Sequence, residues 1–323
     1  MPVTTLLAGG AAARLSAPVV WETAVARWLL FAGLSMALGG LAGRGLARQY
    51  KGRFPVPLPT PWALRGSVLG AAASAWLALI ALSGAGLVTG LAHAPRLFSA
   101  TPGATAGVEL ISFAVAALLL RLRQPRWSVL PLVVVVAAEG LRAHPETIAP
   151  VVGALITYCH LLPAALWAGM LLYILRAAIA WREYPDEMRG LVRLYAAAAA
   201  WLFAFLVITG VISALVLVPL GSLPTTAYGR VLLVKAALVL AAGCLAVAGR
   251  VWLRHRPEPG AGPALATRLE CATLAVVLAV TALLTALTPP ATPIKPAGHR
   301  QAPGGQHQSR LHEQHAPVGG GRQ

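Results

Sequence analysis

Histidines and carboxylates are scarce in this sequence, 8 and 10 among 323 residues. Their placement suggests chemistry with a cation. His93, His144, Glu22, Glu109, Glu139 and Glu146 sit at the ends of apolar segments, and His160 lies inside one. Imidazole and carboxylate at a mouth, with softer groups deeper, suit a transition-metal ion. Met170, and Met36 in an earlier segment, offer thioethers, a suitable ligand for Cu(I). His160 is about nine residues into its segment, on the order of 13 Å deep at 1.5 Å per residue. A histidine inside a membrane span is a functional candidate by default, because it is costly unless it faces the bundle interior. Thr157, His160, Ala164, Trp167 and Leu171 share one helical face by their 3/4 spacing. Pro163 is positioned to loosen the backbone ladder beside His160.

Each of these groups also has a plainer role. His160 can hydrogen-bond across helices, and His93 and His144 can be surface residues. Met36 and Met170 can fill core space, as can Cys159, which points to a different face from His160. The carboxylates can sit at the membrane interface.

The elements that must hold these groups are long and apolar. The chain is 58% hydrophobic and 11% charged, with a mean hydropathy of +0.72. A soluble domain carries about twice that charge fraction. A spanning helix needs ~20 apolar residues, and eight segments qualify: 22–43, 66–91, 106–121, 127–143, 151–175, 194–218, 229–250 and 269–288. No window alternates with the period of a membrane barrel. The expected fold is therefore all-α, a polytopic membrane bundle of about eight transmembrane helices over 22–290. It is flanked by an N-terminal segment, 1–21, that does not read as a cleaved signal peptide. After Pro290 the sequence turns into a polar His/Gly/Pro-rich tail, 291–323, expected to be disordered. His312 and His315 of that tail are spaced to bind a metal weakly.

The net charge of +16 does not point to nucleic acid, because it is unevenly placed. Most Lys and Arg fall in alternate linkers, among them Arg44, Arg48, Lys51 and Arg53, then Arg121, Arg123 and Arg126, then Arg182 and Arg189, then Arg250, Arg254 and Arg256. This positive-inside pattern implies a cytoplasmic (inner) membrane protein with both termini extracytoplasmic and with membrane lipid as a partner. It also puts the histidines and carboxylates named above on, or opening toward, the extracytoplasmic side. Arg27 and Lys235 lie inside spans, where snorkelling to the interface is the ordinary explanation; Lys235 can instead hold a carboxylate. Gly39-x3-Gly43 and Gly86-x3-Gly90 are spaced for close helix approach. The three cysteines, Cys159, Cys244 and Cys271, form no CxxC pair and no disulfide framework. Walker A, HExxH, GxSxG and GxGxxG patterns are missing in suitable contexts, which argues against an enzyme.

Residues 193–290 carry further motifs: the ITG of residues 208–210, TTAYGRVLLVK at 225–235, RLE at 268–270 and the exit LLTALTPP at 283–290. With HLLPAALWAGM at 160–170 and EGLRAHPE at 139–146, they resemble the copper resistance protein D (CopD) family of integral membrane copper-handling proteins. The CopD-like part covers about 151–290. The resemblance implies an eight-span inner-membrane protein tied to copper uptake or tolerance. By matching position it carries over His160, Trp167 and Gly169, then Tyr228, Gly229, Arg230 and Lys235, then Glu270, with His144 ahead of them. The acidic residue that many relatives place just before the span-5 histidine is missing from ITYCH here. A fused copper-binding sandwich domain is missing too, so a separate extracytoplasmic copper-binding protein is the implied partner.

The resulting expectation is a copper ion pathway, inward in the sense of the ligand placement, with His93, His144, Glu139 and Glu146 gathering the ion. His160 takes it into the bundle, Met170 lies beyond, and Trp167, Lys235 and Glu270 are structural or gating. The alternative is a membrane factor that binds copper for delivery to an oxidase without transporting it. Haem between two axial histidines is disfavoured, since no second histidine lies at the depth of His160.

Overall fold

The computed structural model describes residues 17–50, 57–83, 101–143, 150–217, 221, 223–255 and 276. The chain divides into two units, Met1–Pro290 and Ala291–Gln323. The second lies outside the described residues, as do His93, His144, Glu146, Glu270 and, apart from Val276, the expected span 269–288.

All regular structure among the described residues is helical. In chain order the helices are α1 (Ala17–Leu34), a π-helical turn (Ser35–Gly39), α2 (Gly40–Tyr50), α3 (Ala63–Ser83), α4 (Thr101–Arg121), α5 (Val129–Ala143), α6 (Pro150–Ala180), α7 (Pro185–Leu217) and α8 (Ala227–His255). Among the described residues, five stretches are long and apolar enough to cross a membrane: Trp21–Tyr50, Ala63–Ala81, Gly103–Arg121, Val151–Ala180 and Pro185–Leu215. At 15 residues, α5 rises only about 22 Å, short of the ~30 Å hydrocarbon core.

The helices close into a bundle in which α1 packs on α3, α3 on α4, α4 on α5 and α5 on α6. The π turn and α2 return onto α6, and α7 packs on both α6 and α2. Leu30, Leu34, Phe113, Leu132, Val135 and Val136 fill the centre of the first group. Trp167, Met170, Leu171, Leu191, Tyr195 and Leu206 fill the seam between α6 and α7. The outward faces are equally apolar: Ile111 is 65% exposed and Trp201 80%. In water such a surface would aggregate, whereas in lipid it is the expected exterior.

Close backbone approach explains the glycines. A Cβ on Gly39 would stand 2.5 Å from Gly169 Cα and 2.7 Å from the Ala165 carbonyl oxygen. One on Gly43 would stand 2.8 Å from Tyr173 Cβ. The Gly39-x3-Gly43 pair therefore seats the π turn and α2 against α6, as its spacing suggests. Gly86 and Gly90 lie outside the described residues. Pro163 sits inside α6 without ending it. Having no N–H, it leaves the Cys159 carbonyl without its usual helical donor, one residue before His160.

At the other end of α6, three side chains tie down the segment before α3. Tyr173 Oη donates to the Pro59 carbonyl (3.1 Å), Trp181 Nε1 to the Pro57 carbonyl (2.9 Å) and Arg176 Nη2 to Thr60 Oγ1 (3.2 Å).

Candidate metal site

His160 projects from α6 toward α7, where Nδ1 lies 3.0 Å from Thr209 Oγ1. The Thr209 hydroxyl donates back to the Phe205 carbonyl (2.8 Å), with the Leu206 carbonyl at 3.3 Å. With its one proton directed to a carbonyl, Thr209 Oγ1 accepts from His160 Nδ1–H. This contact assigns the ring proton to Nδ1, which leaves the Nε2 lone pair to act as a ligand. Gly210 makes room for the ring: a Cβ there would come within 3.2 Å of His160 Cε1. Lys235 of α8 lies within electrostatic range of the imidazole.

Further along the predicted face, Ala164, Trp167 and Leu171 pack in the same seam. Thr157, one turn toward the N-terminus from His160, has a buried Oγ1 with no hydrogen-bond partner among the described residues. Trp167 stacks edge-on against Phe203 of α7, centroids 5.5 Å apart at 70°. Its buried Nε1 also finds no partner among the described residues. Met170 is enclosed with Trp167 and Leu171 in the apolar seam. Ten residues separate it from His160, about 15 Å along a helix, so the two cannot share one coordination sphere.

Glu139 has different company. Arg142 Nη2 donates to its Oε2 within α5. Its carboxyl lies within electrostatic range of that of Glu109 on α4, and Arg27 of α1 is within range of both. Glu109 and Glu139 are 1% and 2% exposed, and Arg27 Nε and Nη1 are buried as well. Part of the Arg27 guanidinium thus lies inside the bundle in the field of the two carboxyls, Nε and Nη1 making no hydrogen bond among the described residues. Gly140 packs against Ala154 and Tyr158 of α6. This sets the charged cluster a turn or so N-terminal of His160, but against a different face of α6. The structure thus joins His160 to Thr209, Gly210 and Lys235, and does not bring Glu139 to it.

Among the described residues, no group of three or more His, Cys, Asp or Glu side chains is placed to hold a metal. Thr209 was legible only as a letter of the ITG motif; nothing in its spacing within α7 shows that it would meet a histidine 49 positions earlier.

A search of curated proteins found no match to the chain, and a search of solved structures found none. A family model does match, over less than half of the chain. The segment that supplies Thr209, Gly210 and Lys235 to the His160 site lies within residues 189–287, which match the family described as Copper resistance protein D (CopD).

Proposed function

We propose that this protein moves copper ions across the cytoplasmic membrane, inward, and so contributes to copper homeostasis or resistance. One observation carries the proposal: His160 lies in the α6–α7 seam with Nδ1 held by Thr209 of the CopD-matched segment, and Nε2 free. Copper is the cargo here. The ion is gathered on the extracytoplasmic side, where His93, His144 and Glu146 are candidate ligands, passes the Thr157 hydroxyl and is bound transiently at Nε2. A single imidazole beside the Lys235 cation suits brief residence better than storage. Lys235 opposes a resident cation and so favours its release, a gating role. Met170 is a later stop and Glu270 a structural or gating group.

The membrane arrangement that goes with this reading has eight spans, the last of them 269–288, and both termini extracytoplasmic. A separate extracytoplasmic protein supplies the copper, and no catalytic step is involved.

Uptake of labelled copper into sealed vesicles tests the proposal, comparing wild type with His160→Ala. The variant should lose most of the flux; equal rates would remove His160 from the pathway. Direction is read from cellular copper with and without the gene, and higher copper in the deletion strain would reverse the assignment to export.

One observation favours the alternative of a non-transporting copper-delivery factor for oxidase assembly. Below His160, Met170 is walled into an apolar seam. Delivery without transport would leave vesicle flux unchanged while oxidase activity fell on deletion.

A further inference from the structure

The end of the bundle opposite the charged Glu139 cluster holds arginines that the copper reading does not use. Arg44 and Arg48 are one turn apart on α2, and Arg176 stands across from them on α6. All three lie within electrostatic range of the Tyr173 hydroxyl. The ion pairs at this end join other arginines to acids, Arg182 to Glu183 (3.7 Å) and Arg189 to Asp186 (3.3 Å). Arg44, Arg48 and Arg176 make no ion pair among the described residues. Arg44 Nε is buried without a hydrogen-bond partner among them. Arg176 is held in place by Thr60 and by the Trp62 ring, 5.1 Å from its guanidinium carbon.

An apolar cleft opens beside these charges. Met36 of the π turn, Trp62, Leu172 and Tyr173 line it, with Arg176 at its edge. The depth also fits. A span that enters the hydrocarbon core near Trp21 leaves it about 20 residues later, close to one turn before Arg44. One that enters near Val151 emerges about 20 residues on, a little over a turn before Arg176. The guanidiniums therefore stand at headgroup level and the cleft reaches toward the acyl region.

We propose that Arg44, Arg48 and Arg176 form a binding site for an anionic phospholipid, its phosphate on the guanidiniums and the start of an acyl chain in the Met36–Leu172 cleft. Guanidinium groups suit this ligand because they meet phosphate oxygens with paired donors. The site rests on the membrane reading and not on the copper reading, so either can fail without the other.

The test is native mass spectrometry and thermal denaturation of the full chain in detergent, with phosphatidylglycerol, phosphatidylcholine or inorganic phosphate added. Wild type should retain phosphatidylglycerol selectively and be stabilised by it. Each arginine removed should weaken retention about fivefold, the worth of one basic residue near an anionic surface, and R44Q/R48Q/R176Q should lose selectivity. Arg193→Gln, at an exposed position on α7, should leave retention unchanged. Equal retention by the triple variant, or an equal loss in Arg193→Gln, would overturn the site. Stabilisation by inorganic phosphate as strong as by lipid would overturn the lipid assignment. If the triple variant does not fold, Arg48→Gln, at an exposed position, gives the same reading alone: a roughly fivefold weaker retention supports the site and an unchanged one overturns it.

Discussion

At the scale of single residues, the candidate site depends on one hydrogen bond and one charge. Thr209 fixes the His160 tautomer, so Thr209→Val should free the ring and weaken copper binding by about 10- to 100-fold, the usual cost of losing a group that orients a metal-ligating histidine. Thr209→Ser keeps the hydroxyl and should restore it. Copper titration of the purified protein measures both, and a valine variant with wild-type affinity would make Thr209 a packing residue. Lys235 works in the opposite direction. Replacing it by Met removes a cation beside the imidazole, and retention of copper should rise about tenfold, equivalent to ~1.4 kcal/mol, while release slows. Slower release with tighter binding is what a purely structural lysine would not produce. In the other cluster, Arg142→Ala strands Glu139 in a site from which water is shut out, and breaking one half of such a pair costs about 3–5 kcal/mol. Removing Glu139 as well should recover much of that loss in a thermal melt.

At the scale of elements, α6 is the organising helix, and its small residues decide what can approach it. Gly169 meets the Ser35 carbonyl and Gly39 with no room for a Cβ. Gly169→Ala should therefore push the π turn away and lower stability by about 1–3 kcal/mol, the ordinary cost of overpacking, visible as a lower melting temperature in detergent. Gly169, which precedes the matched segment 189–287, thus has a packing role of its own. Helix α4 ends in a different manner. Arg123 takes φ 59°, and Gln124 N–H reaches back to the Leu119 carbonyl at 2.8 Å, the closing bond of a Schellman turn. A non-glycine residue in that conformation costs about 1–2 kcal/mol, so Arg123→Gly should raise the melting temperature.

At the scale of the whole molecule, an excess of arginine at one end of the bundle is set apart from the buried carboxyls Glu109 and Glu139. Arg44, Arg48, Arg176 and Arg182 gather near the chain ends of α2 and α6, while Glu109, Glu139 and His160 lie toward the other end. If this separation reports membrane sidedness, cysteines introduced at Arg123 and Glu183 should react with an impermeant thiol reagent only after the cells are opened. Labelling in intact cells would invert the topology and with it the proposed direction of copper flow. Much of this was legible in the sequence, because lipid imposes a simple rule: segments of about 20 apolar residues become helices, since every backbone group must be satisfied within the segment. Helix class, the places of the spans from Trp21 to Leu215, the tight Gly39–Gly43 contact and the candidacy of His160 all follow from that rule and from local spacing. Which side chains meet does not, because contacts between helices depend on rotation and pairing that no local pattern encodes. Only the tertiary structure put Thr209 against His160, locked Glu139 to Arg142 beside Glu109 and Arg27, and walled Met170 away from the histidine ten residues before it. For the polar groups the reason is that a buried donor or acceptor takes the partner that packing brings within reach; for Met170 it is that an apolar side chain stays with the apolar seam its helix face meets.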